Sequence, residues 1–224
     1  MRRGPFESPQ EAVTDRSRPP RSPEPACRGM VWSPEPASER PLDNPLNIRI
    51  KVSHSVNVIE TERLSLRLIS TDDSAFILKL LNDPAFLQFI GDKGVRTLDD
   101  ARRYILDGPI ASYERWGFGL YMVELKGSQS PAGICGLIKR DSLPDVDIGF
   151  AILPQYRSMG YAFESAAAVM EHGKTILSLE RIVGVTTSDN SGSIRVLEKL
   201  GLRLERMVQL SPAEPEIRLY APAT

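Results

Sequence analysis

The chain has 224 residues, 41% of them apolar, which fits one large domain, or a moderate domain with a tail, around a sizeable core. Its formal net charge of -1 gives no electrostatic reason to expect nucleic acid or an anionic membrane as partner. Two cysteines, Cys27 and Cys135, fall in regions of opposite character, so neither a disulfide nor a metal site is expected and a reducing cytoplasm is the default location.

Ten of the 18 prolines lie in residues 1–47, in stretches such as "SRPPRSPEPA", with few aliphatic residues between them. Such a segment buries too little surface to offset its ordering entropy, so 1–47 is expected to be a disordered proline-rich arm. It supplies no apolar h-region of a signal peptide, and no apolar run approaches the roughly 18 residues that a membrane span needs.

From about residue 58 the pattern changes. "ETERLSLRLIS" sets Leu64, Leu66 and Leu68 on one face and Ser65 and Arg67 on the other, the alternation of a half-buried strand. "TDDSAFILKLLNDP" carries Ile77, Leu80 and Leu81 at helical spacing, with Thr71 or Asp72 as cap and a stop before Pro84. A second helix in "TLDDARRYILDGP" is capped by Thr97, striped by Leu98, Ala101 and Ile105, and ended by Gly108-Pro109.

Three strand-like runs, "GFGLYMVEL", "AGICGLIKR" and "DVDIGFAIL", then read as an antiparallel meander. They lead into a helix in "QYRSMGYAFESAAAVM", residues 155–170. "RIVGVTT" is a strand, "SGSIRVLEKLG" a short helix stopped by Gly201, and "LRLERMVQL" with "EIRLYA" a closing pair. The expected fold is one mixed α/β (α+β) domain: a largely antiparallel sheet flanked by helices.

The helix of residues 155–170 opens on Arg157, Gly160 and Ala162 rather than on a single capping side chain. A helix N-terminus offers unpaired N–H groups and about half a positive charge, so it can hold a phosphate. Gly160 removes a clashing Cβ or permits positive φ, Ala162 keeps the first turn narrow, and Arg157 adds a charged donor. The same small residues also serve tight packing, with Arg157 merely solvated. The segment is neither the three-glycine dinucleotide fingerprint nor a P-loop, because it follows a meander and no Gly-Lys-Ser/Thr comes after it.

"DIGFAILPQYRSMGYAFESAAAVMEHG", "TTSDNSGSIRVLEKLGL" and the upstream "IETERLSLRLIS" together resemble the GCN5-related N-acetyltransferase (GNAT) family. More narrowly, they are similar to the branch of ribosomal-protein N-terminal alanine acetyltransferases. The likeness runs in unbroken order over roughly residues 58–221. It implies acetyl-CoA as cosubstrate, with the pyrophosphate over Arg157, Ser158, Met159, Gly160, Tyr161 and Ala162, chiefly on backbone amides. It also implies a bulge at about Phe150 to Leu153, whose free N–H groups, Ile152 and Leu153 included, polarise the thioester and pair with pantetheine.

Asn190 stands at the family's asparagine position, with Ser193 near the cofactor; the alternative is that Asn190 simply caps the next helix. Where many relatives carry a tyrosine acid, this chain has Leu197. Asp147, and less so Asp145 beside it, is the candidate base, although carboxylates at strand ends are usually only solvated. Tyr220 either assists substrate binding or packs at the sheet edge. Phe89, Trp116 and Phe118 either line the acceptor cleft or belong to the core.

His54 and His172 sit in no nucleophile or ligand arrangement, and Cys135 in "GICGLI" reads as strand interior. The implied reaction is therefore direct acetyl transfer to a primary amine, on a protein N-terminus or a small molecule, by a monomer or homodimer. The alternative is an acyl-CoA-binding module with weak or lost catalysis, which the missing tyrosine motivates.

Overall fold

The computed structural model describes residues 57–223, so the expected arm, Cys27 and His54 lie outside the described residues. The first sequence run resolves into a hairpin of two strands, β1 (Asn57–Glu60) and β2 (Leu64–Leu68). Leu64 and Leu66 are buried as their alternation requires. The opposite face is not solvated: Arg67 is only 12% exposed, bracketed by Asp73 and Glu124 at 2.8 Å each. The alternation reported polarity correctly but not burial, because the two carboxylates make a buried guanidinium tolerable.

Helix α1 (Ser74–Leu81) follows a short 3₁₀ turn in which Ser70 and Asp73 form a capping box. Pro84 ends α1 as expected and also opens α2 (Pro84–Phe89), which the sequence reading lacks. A proline in the first turn forfeits no intrahelical bond, and Asp83 caps it by accepting from the Ala85 and Phe86 amides.

Helix α3 (Leu98–Ile105) starts at the expected Thr97 cap. Gly108-Pro109 does not end the helical path. Leu106–Ile110 forms a π turn that carries the chain into α4 (Ala111–Trp116), closed by Gly117 at φ 76°. A wider turn accommodates a residue with no N–H, which reading Pro109 as a stop overlooked.

The meander is β3 (Leu120–Leu125), β4 (Pro131–Lys139) and β5 (Val146–Ile152). Then come α5 (Tyr161–Thr175), β6 (Ile182–Thr186), α6 (Ser191–Lys199), β7 (Leu202–Val208) and β8 (Ile217–Pro222). They form one eight-stranded sheet in the order β1-β2-β3-β4-β5-β6-β8-β7, antiparallel except where β5 meets β6.

A small third apolar cluster, Leu143, Val183, Val208, Leu219 and Ala221, joins β6, β7 and β8, and two larger ones pack helices against the sheet. In one, Ala166, Val169 and Met170 of α5 pack with Val123, Leu137, Ile148 and Ile182 of the sheet. In the other, Ile77, Leu80 and Leu81 of α1 and Ile105 of α3 meet Met122, Ile134 and Leu153. Successive residues of β3 and β4 enter different clusters, as a strand's two-residue period dictates. Helices thus cover the sheet and fix β5 and α5 relative to each other.

Candidate active site

The parallel contact between β5 and β6 is two residue pairs long, Val146↔Ile182 and Asp147↔Val183. Beyond it β6 continues along β8, from Gly184↔Tyr220 onward, while β5 stays with β4 as far as Gly133↔Ile152. The sheet therefore opens along the far edge of β5. The Leu153 amide donates to Ala132 O at 2.9 Å, which sets the parity of the antiparallel ladder. Odd-numbered residues of β5 bond to β4, and the N–H and C=O of Phe150 and Ile152 point into the opening.

The bulge expected at 150–153 is absent, since the β4–β5 register runs without a shift. Divergence of two strands frees the donors instead of an extra residue. Ile152 retains a donor there, whereas the Leu153 amide is spent on β4 and its side chain is buried.

Pro154 ends β5 and begins a 3₁₀ turn, Pro154–Tyr156, that leads to the mouth of α5. Ser158 (φ 63°) and Gly160 (φ 85°) are both left-handed, a pattern that turns successive N–H groups toward one side. The first bond within α5 is from the Glu164 amide to Gly160 O at 3.0 Å, so the N–H groups of Tyr161, Ala162 and Phe163 have no partner along the helix. The mouth can therefore take an anion on backbone amides, as the small residues suggested.

Arg157 is placed differently from its expected part. Its Nε donates to Ile152 O at 2.9 Å, its Nη2 pairs with Asp83, and its own amide donates to Pro154 O at 3.2 Å. The cation tying the strand end to the α2 cap is thus not turned to the mouth. Arg63, in the turn between β1 and β2, lies there instead. Its Nε and Nη2 meet Glu164 at 2.7 and 2.5 Å, its Nη1 donates to Met159 O at 3.1 Å, and its Cζ stands 4.6 Å from the Tyr161 ring centroid. Partial burial of Glu164 opposes ionisation, but bonds from Thr61 and Arg63 outweigh it and hold its carboxyl below the ordinary value.

A cleft of about 1000 Å³ adjoins the open strand edge. Its wall includes Asp147 and Phe150 of β5, Thr186 of β6, and Asn190, Ser193 and Leu197 of the α6 segment. Phe86, Phe89 and Trp116 contribute from the helical side. None of residues 157–162 lines it, so the cleft and the mouth are separate parts joined by the β5 edge. Phe118 is not in the wall either; it is buried in the core.

Asp147 is only 1% exposed and accepts from Arg140 Nε at 3.1 and 3.2 Å. Burial pushes its carboxyl up, and the Arg140 guanidinium opposes that rise without cancelling it. Instead of a solvated strand-end carboxylate, the structure shows an enclosed one. Sequence reasoning missed Arg140, for which the signal was the β4–β5 hairpin itself: Ile138 pairs with Asp147, so Arg140, two residues on from Ile138, comes to Asp147 along the diagonal of the same face. Asp145 lies elsewhere, at 3.0 Å from Arg181.

The cap reading of Asn190 is observed, and the residue also lines the cleft. Its Oδ1 accepts from the Ser193 amide at 3.0 Å, capping α6, while Asn190 and Ser193 face the cleft. The Asn190 Nδ2 makes no hydrogen bond among the described residues, which leaves a donor for a ligand amide or carbonyl. Leu197, at the position where the resemblance implies a tyrosine acid, is 1% exposed and packs on Gly184, and Tyr220 is buried opposite that same glycine. Burial pushes the Cys135 thiol up to about 12, so it is no nucleophile at neutral pH. His172, whose basicity burial lowers, lies near the far end of α5, away from the mouth. Among the described residues no group of three His, Cys, Asp or Glu side chains is placed to hold a metal ion.

The chain as a whole has counterparts among known proteins. The family described as "Acetyltransferase (GNAT) domain" matches residues 63–203, and the chain belongs to that family of N-acetyltransferases. Among curated relatives, an uncharacterized N-acetyltransferase, YnaD, of Bacillus subtilis is 28% identical over 147 residues, 66% of this chain and 83% of that protein. A GNAT-family acetyltransferase structure from Bacillus anthracis is 27% identical with a TM-score of 0.61, covering 73% of this chain and 96% of that one. The ribosomal L7/L12 α-N-protein acetyltransferase RimL in complex with coenzyme A shares the fold at a TM-score of 0.62 and 19% identity, over 72% of this chain and 94% of its own.

Proposed function

We propose that this protein transfers an acetyl group from acetyl-CoA to a primary amine, on a protein N-terminus or a small molecule, through a domain spanning residues 58–221. The observation that carries the reading is the divergence of β5 from β6 after Asp147 and Val183. It leaves the Phe150 and Ile152 donors facing a gap that runs between the α5 mouth and the enclosed carboxylate. The pantetheine arm lies along this edge, with its amides on the β5 backbone and on Asn190 Nδ2. The diphosphate sits on the amides of residues 158–162, where Gly160 leaves room.

In the reaction the neutral amine attacks the thioester carbonyl, the new C–N bond forms, and the C–S bond breaks. The β5 donors stabilise the oxyanion in between. Asp147 accepts the amine proton, directly or through water, and its raised pKa makes it a better base than a solvated aspartate. The departing thiolate takes a proton from solvent, because Leu197 provides none. Direct transfer is favoured by the inert Cys135.

The test is acetyl-CoA turnover followed by free thiol, with a panel of N-terminal peptides and small amines, and mass spectrometry of the product. Amine-dependent thiol release with acetylated product is expected. Tight coenzyme binding with no turnover across the panel would overturn the catalytic reading.

A further inference from the structure

The mouth of α5 lacks the cation that its own segment was expected to provide, since the Arg157 guanidinium is bonded to Asp83 and Ile152 O. An amide-only cradle would leave a doubly charged group facing the Glu164 carboxylate in the same helical turn. Arg63 offsets that repulsion by pairing with Glu164 at 2.5 and 2.7 Å.

A guanidinium carries five N–H donors in a fixed fork. In Arg63 one from each nitrogen is engaged, by Glu164 at Nε and Nη2 and by Met159 O at Nη1. Two remain, and the side chain is 46% exposed. Arg63 Nη2 also lies 3.3 Å from where a Cβ on Gly160 would stand, so the fork is directly over the left-handed turn of the cradle. Stacking on Tyr161 and the bond to Met159 O fix its orientation without consuming the outward donors.

We propose that Arg63 is a ligand of the coenzyme diphosphate, held in place by Glu164, Met159 O and Tyr161, and that it supplies the charge Arg157 does not. This rests on the acetyl-CoA reading above. Part of the cofactor site then comes from the β1–β2 turn, far in sequence from the helix mouth.

The experiment is calorimetric titration of acetyl-CoA and of S-acetyl-pantetheine, which lacks diphosphate and nucleotide, into wild type, Arg63→Gln and Arg63→Lys. Arg63→Gln should weaken acetyl-CoA about tenfold, the usual loss for a charge-assisted contact. Arg63→Lys, which keeps the charge but not the fork, should lose less. S-acetyl-pantetheine should bind all three proteins alike, which also shows that the variants are folded. Unchanged acetyl-CoA binding by Arg63→Gln, or an equal loss for both ligands, overturns the assignment. Acetyl-CoA lacking its ribose phosphate should show the same Arg63 effect; disappearance of the effect overturns the diphosphate assignment. A wild type that binds no acetyl-CoA is a separate result and sinks the acetyltransferase reading itself.

Discussion

Replacing Asp147 with asparagine tests the proposed base with little change in shape. At about pH 7.4 roughly a fifth of an α-amine with pKa near 8 is already neutral, against about one part in 1000 of a lysine amine near 10.4. General bases contribute ~10²–10⁴-fold, so an α-amine acceptor should lie at the low end, with kcat/KM falling about 100-fold, or ~2.7 kcal/mol. The loss should be larger for a lysine-type acceptor.

Stability should change less, because Arg140 keeps 24% exposure and can turn to water when the carboxylate is gone. About 2 kcal/mol is expected, below the ~3–5 kcal/mol for breaking a fully buried pair. The folded pKa of Asp147 is raised, so the folded state binds more protons than the unfolded one above the unfolded value near 4. This group's contribution to stability therefore falls as pH rises from about 4 through the folded pKa, and Asp147→Asn should flatten that slope. In the wild type, kcat/KM should rise with pH as the base ionises, on a limb above the ordinary aspartate range. Thiol-release kinetics on a peptide acceptor across pH measures both effects. An Asp147→Asn enzyme with wild-type kcat/KM and an unchanged profile would refute the assignment.

Three further substitutions probe the frame. Arg67→Met strands Asp73 and Glu124 in a site where the arginine was 12% exposed, and chemical denaturation should show a loss of about 3 kcal/mol; a neutral change would mean the pairs contribute nothing. Leu197→Tyr should destabilise by ~1–3 kcal/mol without raising kcat, because Leu197 Cδ2 already lies 2.5 Å from where a Gly184 Cβ would stand; faster turnover would contradict the role given to solvent as the acid. Cys135→Ala should retain turnover while losing about 1 kcal/mol in denaturation, whereas abolished activity in a folded variant would indicate a covalent intermediate.

Most of the sheet and the long helices were legible because their patterns are local. Leu64 and Leu66 alternate, Thr97 and Asp100 make a capping box, and Gly160 precedes a run of small residues. The missed α2 begins at a proline and α4 follows one, and proline reads as a stop unless it is known to sit behind a cap or inside a π turn. At the site, single-segment motifs located the cradle but not its charges. Arg157 turns away to Asp83, 74 residues earlier, and Arg63 arrives from 101 residues before Glu164. Such long-range pairing leaves no local pattern. The β5 opening was hidden for a related reason, since whether two strands stay paired depends on the partner, here β8, that draws β6 away.

The most direct measurement is calorimetric titration of acetyl-CoA into wild type and Gly160→Glu. Gly160 sits at φ 85°, at the centre of the cradle, and a carboxylate there faces the diphosphate and competes for Arg63. The account predicts saturable one-site binding to the wild type and none to a variant whose circular dichroism shows it folded. Equal binding by both proteins would place the coenzyme elsewhere, and no binding by either would remove the acetyl donor from the reaction proposed.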